Sequence, residues 1–283
     1  MRTYLQCVPC FVRQTLEAVQ MASDAPAVHE QVMRQVLHRT SQMDLGDSPP
    51  IMGQAIHRII KQITGVTDPY RDAKRRLNAF ALRLYDELAP QIDEAADPVS
   101  AAVHLAAAGN VVDLGVKSGL DHDQIRSAVR SALDDTLDPR EVERFRQAVA
   151  AARDILYLGD NSGEIVFDRM LIERLPHENV TFVVRGEPII NDATMQDAIE
   201  TGMADLVTVI DNGSDAPGTI LSDCSPEFRE RFARADLIIS KGQGNYETLS
   251  EEDRPIFYLL KVKCPVIAQD IGEPVGTLIL RRK

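Results

Sequence analysis

The sequence predicts an α/β protein in two parts: an N-terminal all-helical domain, residues 1–152, and a three-layer, Rossmann-like α/β/α domain, residues 153–283, with a mainly parallel sheet. Apolar residues recur at helical spacing through most of the first part. The second part contains short apolar runs rich in β-branched residues, and helical patterns separate most of them. Short apolar strands that alternate with helices are typical of a parallel sheet covered on both faces.

Capping sequences mark where several helices of the first part begin. Ser or Asp followed by Pro places a cap and a first-turn proline at a helix start. These pairs are Ser48-Pro49, Asp68-Pro69, Asp97-Pro98 and Asp138-Pro139. Together with the apolar periodicity, they predict helices over 8–22, 27–43, 50–64, 70–94, 97–112, 122–135 and 139–152.

The second part is predicted to contain strands at Ile155–Leu158, Val180–Val184, Leu206–Ile210, Leu237–Ile239 and Val266–Ala268. The helices expected between and around them cover 163–175, 193–201, 226–235 and about 246–261. A last apolar run, Gly276–Leu280, is suited to an edge strand.

The composition of the chain argues against several classes of protein. The chain has 283 residues, with 31 Lys and Arg against 43 Asp and Glu, and a formal net charge of −12. Nucleic-acid-binding proteins normally have the opposite excess, because Lys and Arg neutralise phosphates. The opening residues do not resemble a signal peptide, and no apolar run is long enough to span a membrane. Four cysteines are too few for a disulfide framework, so we expect a cytoplasmic protein without nucleic-acid or membrane partners.

Polar residues are concentrated where the predicted strands end. The segments are 159–164, 185–192, 211–213, 240–245 and 269–270. In open α/β sheets, ligands bind beyond the carboxyl ends of the strands. We therefore expect these segments to form the functional site.

The segment Gly159–Gly163 is neither a dinucleotide-binding fingerprint nor a P-loop. Asp160 supplies a carboxylate and Asn161 a carbonyl oxygen, and Gly163 opens a helix whose N–H groups can bind an anion. Asp192 follows the neighbouring strand and can complete an all-oxygen site, which favours Mg²⁺ or Mn²⁺ over zinc. The alternative is that Asp160 and Asn161 form an Asx turn and that Asp192 caps a helix.

Lys241 is the basic residue most suggestive of function. It lies at a predicted strand end and is followed by Gly242 and Gly244. Glycines let the backbone approach a ligand closely, so we expect the Lys241 ammonium to contact a phosphate. The alternative is a solvated loop lysine.

Two further features allow two interpretations each. Asn110 and Asp113 end a strongly apolar helix and either stop it or face the metal site. Cys7-x-x-Cys10 has no second cysteine pair nearby, so it is weak support for zinc or redox chemistry. Two buried helix cysteines are the favoured interpretation of that pair.

In their order and combination, these motifs resemble the damage-control phosphatase family, long known as domain of unknown function 89, in its prokaryotic branch with an N-terminal C-x-x-C. The resemblance covers essentially the whole chain. Its motifs are Cys7-x-x-Cys10, Asp68-Pro-Tyr70, Gly109-Asn110 with Asp113, Gly159-Asp-Asn-Ser-Gly-Glu164, Pro188-Ile-Ile-Asn-Asp192, Lys241-Gly-Gln-Gly-Asn-Tyr-Glu247 and Lys263-Cys-Pro265.

The resemblance implies a helical domain packed on a three-layer α/β domain, with the active site between them. It also implies a metal held by Asp160, Asn161 and Asp192, and phosphate contacts from Lys241 and Asn245. Members of the family look like divalent-metal phosphatases that act on small phosphorylated metabolites, including sugar phosphates and damaged intermediates. We therefore expect a phosphomonoester hydrolase that uses Mn²⁺, Mg²⁺, Co²⁺ or Ni²⁺.

The expected mechanism is metal-assisted attack of water on phosphorus. The N–H groups near Ser162 and Gly163, with Lys241, would stabilise charge on the phosphoryl oxygens. Glu164 or Asp192 is the candidate base.

The sequence also allows an alternative mechanism and two alternative functions. Asp160 could itself be a nucleophile, although residue 162 is Ser where the usual D-x-D pattern has its second acid. An S-adenosylmethionine-dependent carboxyl methyltransferase and a non-catalytic phosphometabolite-binding protein are the alternative functions.

Overall fold

The computed structural model describes residues 1–109 and 137–282. The helices that precede the sheet are α1 (Val8–Ala22), α2 (Pro26–Ser41), α3 (Pro49–Thr64), α4 (Arg71–Asp93), α5 (Pro98–Ala108) and α6 (Pro139–Ala151). They follow the predicted helices closely. The predicted helix 122–135 and the end of the one predicted over 97–112 lie outside the described residues.

Two of the predicted caps are formed by side chains. The Asp97 carboxylate accepts a hydrogen bond from the Ser100 N–H at 3.1 Å, and the Asp138 carboxylate accepts one from the Arg140 N–H at 2.9 Å. Each cap satisfies an N–H group that the first turn of a helix leaves without a partner.

The sheet has six strands in the described residues, in the order β3-β2-β1-β4-β5-β6. They are β1 (Ile155–Leu158), β2 (Val180–Val184), β3 (Thr208–Asp211), β4 (Leu237–Lys241), β5 (Ile256–Lys261) and β6 (Leu278–Arg282). β6 pairs antiparallel with β5 at one edge, and all other pairs are parallel. The helices among them are α7 (Glu164–Ile172), α8 (Met195–Glu200), α9 (Met203–Leu206), α10 (Pro226–Arg234), α11 (Gly242–Leu249) and α12 (Pro265–Ile271). The predicted α/β class with a mainly parallel sheet is confirmed.

The two faces of the sheet bury different sets of helices. Ile155 and Tyr157 of β1 belong to one core, which includes side chains of α4, α5, α6 and α7. Leu156 and Leu158 point the other way, into a core with α10, α11 and α12. Alternate residues of a strand face opposite sides, so each strand connects both cores.

The helices α1, α2 and α3 form a smaller core of their own, with Phe11, Val32 and Ile56 at its centre. The α3 helix contacts α11, and the Met1 ammonium donates to the Glu247 carbonyl oxygen at 3.0 Å. The predicted boundary at residue 152 stays a prediction. In the packing, α4, α5 and α6 share a core with the sheet, whereas α1, α2 and α3 do not.

Two predicted elements near the C-terminus are wrong. Val266–Ala268 was expected to be a strand but lies in α12, which begins at Pro265 behind an extended Cys264. The long helix expected over about 246–261 is two elements, because α11 ends at Leu249 and β5 follows. A strand buried on both faces has no polar side, so its continuous apolar run cannot be distinguished from a buried helix by periodicity.

Within the described ranges, no helix combines the length and the apolar character needed to cross a membrane.

The α6 helix offers a test of the shared core. Phe145 of α6 is fully buried, and its ring meets the Phe257 ring of β5 edge-on, with 5.4 Å between centroids. We expect Phe145→Ala to lower the free energy of unfolding by about 3–5 kcal/mol, as for other buried Phe truncations. Leu37→Ala, at a side chain of α2 that is 49% exposed, should change it by less than about 0.5 kcal/mol. Urea unfolding followed by circular dichroism measures both, and equal effects would contradict this packing.

Candidate functional site

The strand order places one crevice at the carboxyl edge of the sheet. The chain passes from β1 outward to β2 and β3, then returns to β4 on the other side of β1. The connections that leave β1 and β4 therefore diverge, and in such sheets ligands bind at this point. Gly159 follows β1, and Lys241 ends β4.

The three predicted metal ligands lie together at this crevice. Asn161 and Asp192 form an isolated antiparallel bridge, and the Ala193 N–H donates to the Asp160 carbonyl oxygen at 2.8 Å. These backbone contacts attach the loop after β1 to the loop after β2. The side chains of Asp160, Asn161 and Asp192 are nearly buried but line a cleft.

Arg185, the residue after β2, lies beneath the two carboxylates. Its Nε donates to Asp192 Oδ2 at 2.7 Å, and its Nη2 is 3.6 Å from Asp160 Oδ1. The side chain is only 1% exposed, so its charge acts at low dielectric. Sequence reasoning included Arg185 only as a strand-end residue and assigned it no role.

Asn161 and Gly242 fix the Asp160 carboxylate from two other sides. The Asn161 amide nitrogen donates to Asp160 Oδ2 at 2.9 Å and to Glu164 Oε2 at 3.1 Å. Gly242 has a φ of 76°, and a Cβ there would lie 1.9 Å from Asp160 Oδ2. Only glycine can therefore occupy this first residue of α11 without displacing the carboxylate.

Lys241 does not reach the cleft, in contrast to its predicted phosphate contact. It is fully buried, and its ammonium donates to Glu164 Oε1 at 2.7 Å and to Asp168 Oδ1. Asp168 Oδ1 also accepts from the Tyr157 hydroxyl at 2.8 Å. The lysine thus neutralises two carboxylates behind the cleft.

The pKa values reflect this burial. Burial raises the pKa of Asp168 to about 6, although Lys241 acts to lower it. Burial alone would lower the pKa of Lys241, but Asp168 and Glu164 outweigh it and raise the pKa. The pKa of Asp160 is raised well above its ordinary value by burial and then by Glu164 and Asp192, while Arg185 and Lys263 lower it.

The other predicted phosphate contacts are used by the protein itself. The Gly163 N–H donates to Asn78 Oδ1 at 2.7 Å, and the Ser162 N–H donates to the Asn191 carbonyl oxygen at 2.8 Å. Asn245 is fully buried, and its amide nitrogen donates to the Gly159 carbonyl oxygen at 3.0 Å. These three residues position the loop after β1 and do not line the cleft.

The predicted substrate contacts at Asn110 and Asp113 lie outside the described residues.

The cleft has a volume of about 360 Å³ and lies between the sheet edge and the α1–α3 helices. The sheet side contributes the segments after β1, β2, β3, β4 and β5, and the helical side contributes residues from the starts of α1 and α3. The polar lining beyond the loops of β1 and β2 consists of Gln6, Gln14, Gln243, Glu247 and Lys263. Burial raises the pKa of Glu247 to about 7.

Three thiols line the same cleft. Cys10 is exposed, and Cys7 and Cys264 are half-buried. The expectation of two buried helix cysteines is therefore wrong. Cys264, which the sequence analysis quoted only within Lys263-Cys-Pro265 and gave no role, joins them from the loop after β5. No signal in the sequence relates Cys264 to the first helix, because the contact spans almost the whole chain.

In the part of the chain that the structure describes, no three His, Cys, Asp or Glu side chains are arranged to hold a metal ion. The predicted ligand set differs from such a group, because it has two carboxylates and one amide oxygen.

Comparison with known proteins agrees with this architecture. The family model described as damage-control phosphatase ARMT1-like domain matches residues 3–279. An uncharacterised protein of Methanocaldococcus jannaschii is 35% identical, over 98% of this chain and 94% of its own. A damage-control phosphatase of Pyrococcus horikoshii is 33% identical, over 100% of this chain and 98% of its own.

A solved structure is also similar. The crystal structure of a protein of the family of unknown function 89 from Pyrococcus horikoshii superposes with a TM-score of 0.91. It is 33% identical and covers 100% of this chain and 99% of that chain.

The Gly242 position provides a test of the packed carboxylate. We expect Gly242→Ala to lower the free energy of unfolding by about 1–3 kcal/mol, because it combines left-handed backbone strain with a clash against Asp160. Gly272→Ala is the matched control, since Gly272 also has a positive φ, 83°, but nothing lies within 4 Å of its Cβ position. Thermal and urea unfolding of both variants measure the difference. An equal cost would show that strain alone acts at Gly242.

Thiol reactivity tests the cleft wall. We expect the exposed Cys10 to react with Ellman's reagent first and Cys7 more slowly, because burial raises the pKa of the Cys7 thiol. Cys224 is buried, which raises its pKa to about 12, and should react only after unfolding. Cys10→Ser should remove the fast phase and Cys224→Ser should preserve it. A fast native reaction at Cys224 would contradict this arrangement.

Proposed function

Because this chain belongs to the damage-control phosphatase ARMT1-like domain family, we propose that it is a phosphatase that hydrolyses small phosphorylated, damaged metabolites. The family model matches nearly the entire chain, and relatives at 33% and 35% identity are named damage-control phosphatases. Neither the methyltransferase nor the binding-protein alternative has comparable support.

We propose that a divalent cation binds at Asp160, Asn161 and Asp192. The charge balance of the buried cluster is the observation that carries this proposal. Among the residues that the structure describes, the carboxylates of Asp160, Glu164, Asp168 and Asp192 lie against two buried cations, those of Arg185 and Lys241. Buried charge without a counter-ion is costly, so two excess negative charges suit one divalent cation.

The donor atoms also fit such a cation. The side-chain hydrogen bonds of Asn161 to Asp160 and Glu164 use its amide nitrogen, so its oxygen is the atom it would offer to a metal. With the carboxylates of Asp160 and Asp192, this gives hard oxygen ligands, which suit Mg²⁺ or Mn²⁺. Co²⁺ and Ni²⁺ are the other candidates. When bound, the cation supplies Lewis acidity towards a phosphoryl oxygen.

The side chains on the cleft favour direct attack by water. Both oxygens of Glu164 are held, one by Lys241 and one by Asn161, and Glu164 does not line the cleft. Of the two candidate bases, we therefore favour Asp192, which lines the cleft, as the group that accepts a proton from water. Asp160 is held by Asn161 and Arg185, which suits a ligand better than a nucleophile.

The outer part of the cleft suits a polar, largely uncharged leaving group. Gln6, Gln14 and Gln243 offer amide donors and acceptors, while Phe11 and Ile190 offer apolar surface. A volume of about 360 Å³ accommodates a small metabolite such as a sugar phosphate. All four cysteines are free, which fits the proposed cytoplasmic location.

Metal removal tests the proposal directly. We expect metal-stripped protein to release no phosphate from p-nitrophenyl phosphate or sugar phosphates, and to regain activity with Mn²⁺, Mg²⁺, Co²⁺ or Ni²⁺. Asp192→Asn should reduce metal-dependent kcat/KM by about 100-fold or more, because losing a charged ligand removes about 3 kcal/mol of stabilisation.

Asp211→Asn is the matched control for that variant. Asp211 is an exposed carboxylate at the carboxyl end of β3, away from the cleft lining, and its replacement should leave activity unchanged. Full activity in chelator would exclude metal dependence. Absence of hydrolysis with every metal, from folded protein, would exclude the phosphatase itself.

A further inference from the structure

We propose that Ile190 is a positioning residue for the metal site. Its side chain, anchored in the core of α1, α2 and α3, holds a strained turn that places Asp192, the proposed metal ligand from the loop after β2. This inference rests on the proposed function, because it concerns the metal that the function requires. It adds a residue that acts through Asp192 and not on the metal itself.

The backbone at Ile190 is strained. Its φ is 45°, and in the described part of the chain it is the one residue other than glycine with a positive φ. The left-handed region is unfavourable for a β-branched side chain, because Cβ approaches the backbone too closely. Such a conformation persists only where the surrounding structure imposes it, and it is most frequent at functional sites.

The strain is located in the turn that carries Asp192. The Asp192 N–H donates to the Ile189 carbonyl oxygen at 3.0 Å, which closes a turn with Ile190 and Asn191 at its centre. Turns whose first central residue has a positive φ normally have Gly, Asn or Asp there. Isoleucine has no backbone reason to occupy this position, so its side chain must supply the reason.

The side chain of Ile190 anchors the turn to the helices. It is half-buried and packs against the core of α1, α2 and α3, and the other apolar residues described in that core all come from residues 7–70. Within the described structure, Ile190 therefore joins the loop after β2 to helices that otherwise keep a core separate from that of the sheet.

The turn has a second anchor on the sheet side. The Ser162 N–H donates to the Asn191 carbonyl oxygen, and the Ala193 N–H donates to the Asp160 carbonyl oxygen, both at 2.8 Å. These two bonds flank Asp192 and attach it to the loop after β1. Asp192 thus lies between a hydrogen-bonded anchor on the sheet and an apolar anchor on the helices.

The position of the Asp192 carboxylate depends on both anchors. Its Oδ2 accepts a hydrogen bond from Arg185 Nε at 2.7 Å, so the carboxylate has one orientation as long as the turn keeps its shape. Without the Ile190 anchor, the backbone would relax towards a negative φ and displace the following two residues. Asp192 would then move away from Asp160, with which it is proposed to share the metal.

The test compares the Mn²⁺ affinity of Ile190 variants, measured by calorimetry on metal-stripped protein that circular dichroism shows to be folded. Ile190→Ala removes the anchor and leaves a residue that disfavours a positive φ, so the turn relaxes. We expect it to weaken Mn²⁺ binding by about 10- to 100-fold, as for other residues that orient a metal ligand. Ile190→Gly removes the same anchor but accepts a positive φ without strain, so it should weaken binding less than Ile190→Ala.

Ile190→Val keeps most of the anchor and should keep most of the affinity. The matched control is Ile59→Ala in α3, since Ile59 is also half-buried against the same core but does not line the cleft. It should lower the free energy of unfolding in urea and leave Mn²⁺ affinity unchanged. Equal losses of affinity in Ile190→Ala and Ile59→Ala would indicate a purely structural role and overturn the proposal. Equal losses in Ile190→Ala and Ile190→Gly would also overturn it, because the turn would then have no part.

The outcomes separate this inference from the phosphatase function. If the wild type hydrolyses phosphate esters with metal and Ile190→Ala binds Mn²⁺ within about twofold of the wild type, the inference is wrong and the phosphatase function stands. If the wild type binds Mn²⁺ and the Ile190 variants follow the expected order, but no phosphate ester is hydrolysed, the inference stands and the phosphatase function is wrong.

Discussion

The cluster of buried charges at the carboxyl ends of β1, β2 and β4 is the constraint on which the rest of the site depends. Taking a carboxylate out of water is costly unless a cation and hydrogen bonds replace its hydration. The protein meets that requirement for Glu164 and Asp168 with Lys241, and for Asp192 with Arg185. Because both cations come from strand ends, the sheet register itself sets where the carboxylates can lie.

The same constraint explains why turn formation and function are not competing interpretations of Gly159–Gly163. The loop does make a turn, and the Ile165 N–H donates to the Asn161 carbonyl oxygen at 3.2 Å. Yet the turn brings Asn161 between Asp160 and Glu164, where its amide separates two carboxylates. At Gly159 a Cβ would lie 2.6 Å from the Phe182 ring, so this turn can follow β1 only with glycine there. The residues that form the turn are therefore the same residues that hold the carboxylates of the site.

Features set by local sequence patterns could be predicted, whereas features set by contacts between distant residues could not. The fold class and the proximity of Asp160 to Asp192 follow from local sequence patterns and from one rule of parallel sheets. Both could therefore be predicted from the sequence. The burial of Lys241 was not, because the partner that neutralises it, Asp168, lies on α7, and no local pattern shows which way a strand-end lysine turns. The cleft wall was missed for a related reason. Cys7 and Cys264 line one cleft although they lie near opposite ends of the chain, and β5, which precedes Cys264, was predicted to be helix.

On the proposed function, the two kinds of wall that form the cleft would separate its chemistry from its selectivity. The inner wall belongs to the sheet, and nearly every polar side chain there is fixed by a buried partner, so substitutions would disturb the charge balance. The outer wall comes from the starts of α1 and α3, which have their own core and attach to the sheet side through contacts such as Gly53 against Pro217. Residues such as Gln6 and Gln14 can change there without altering any buried charge. A protein built in this way can change its substrate through the helices while the sheet keeps the same reaction.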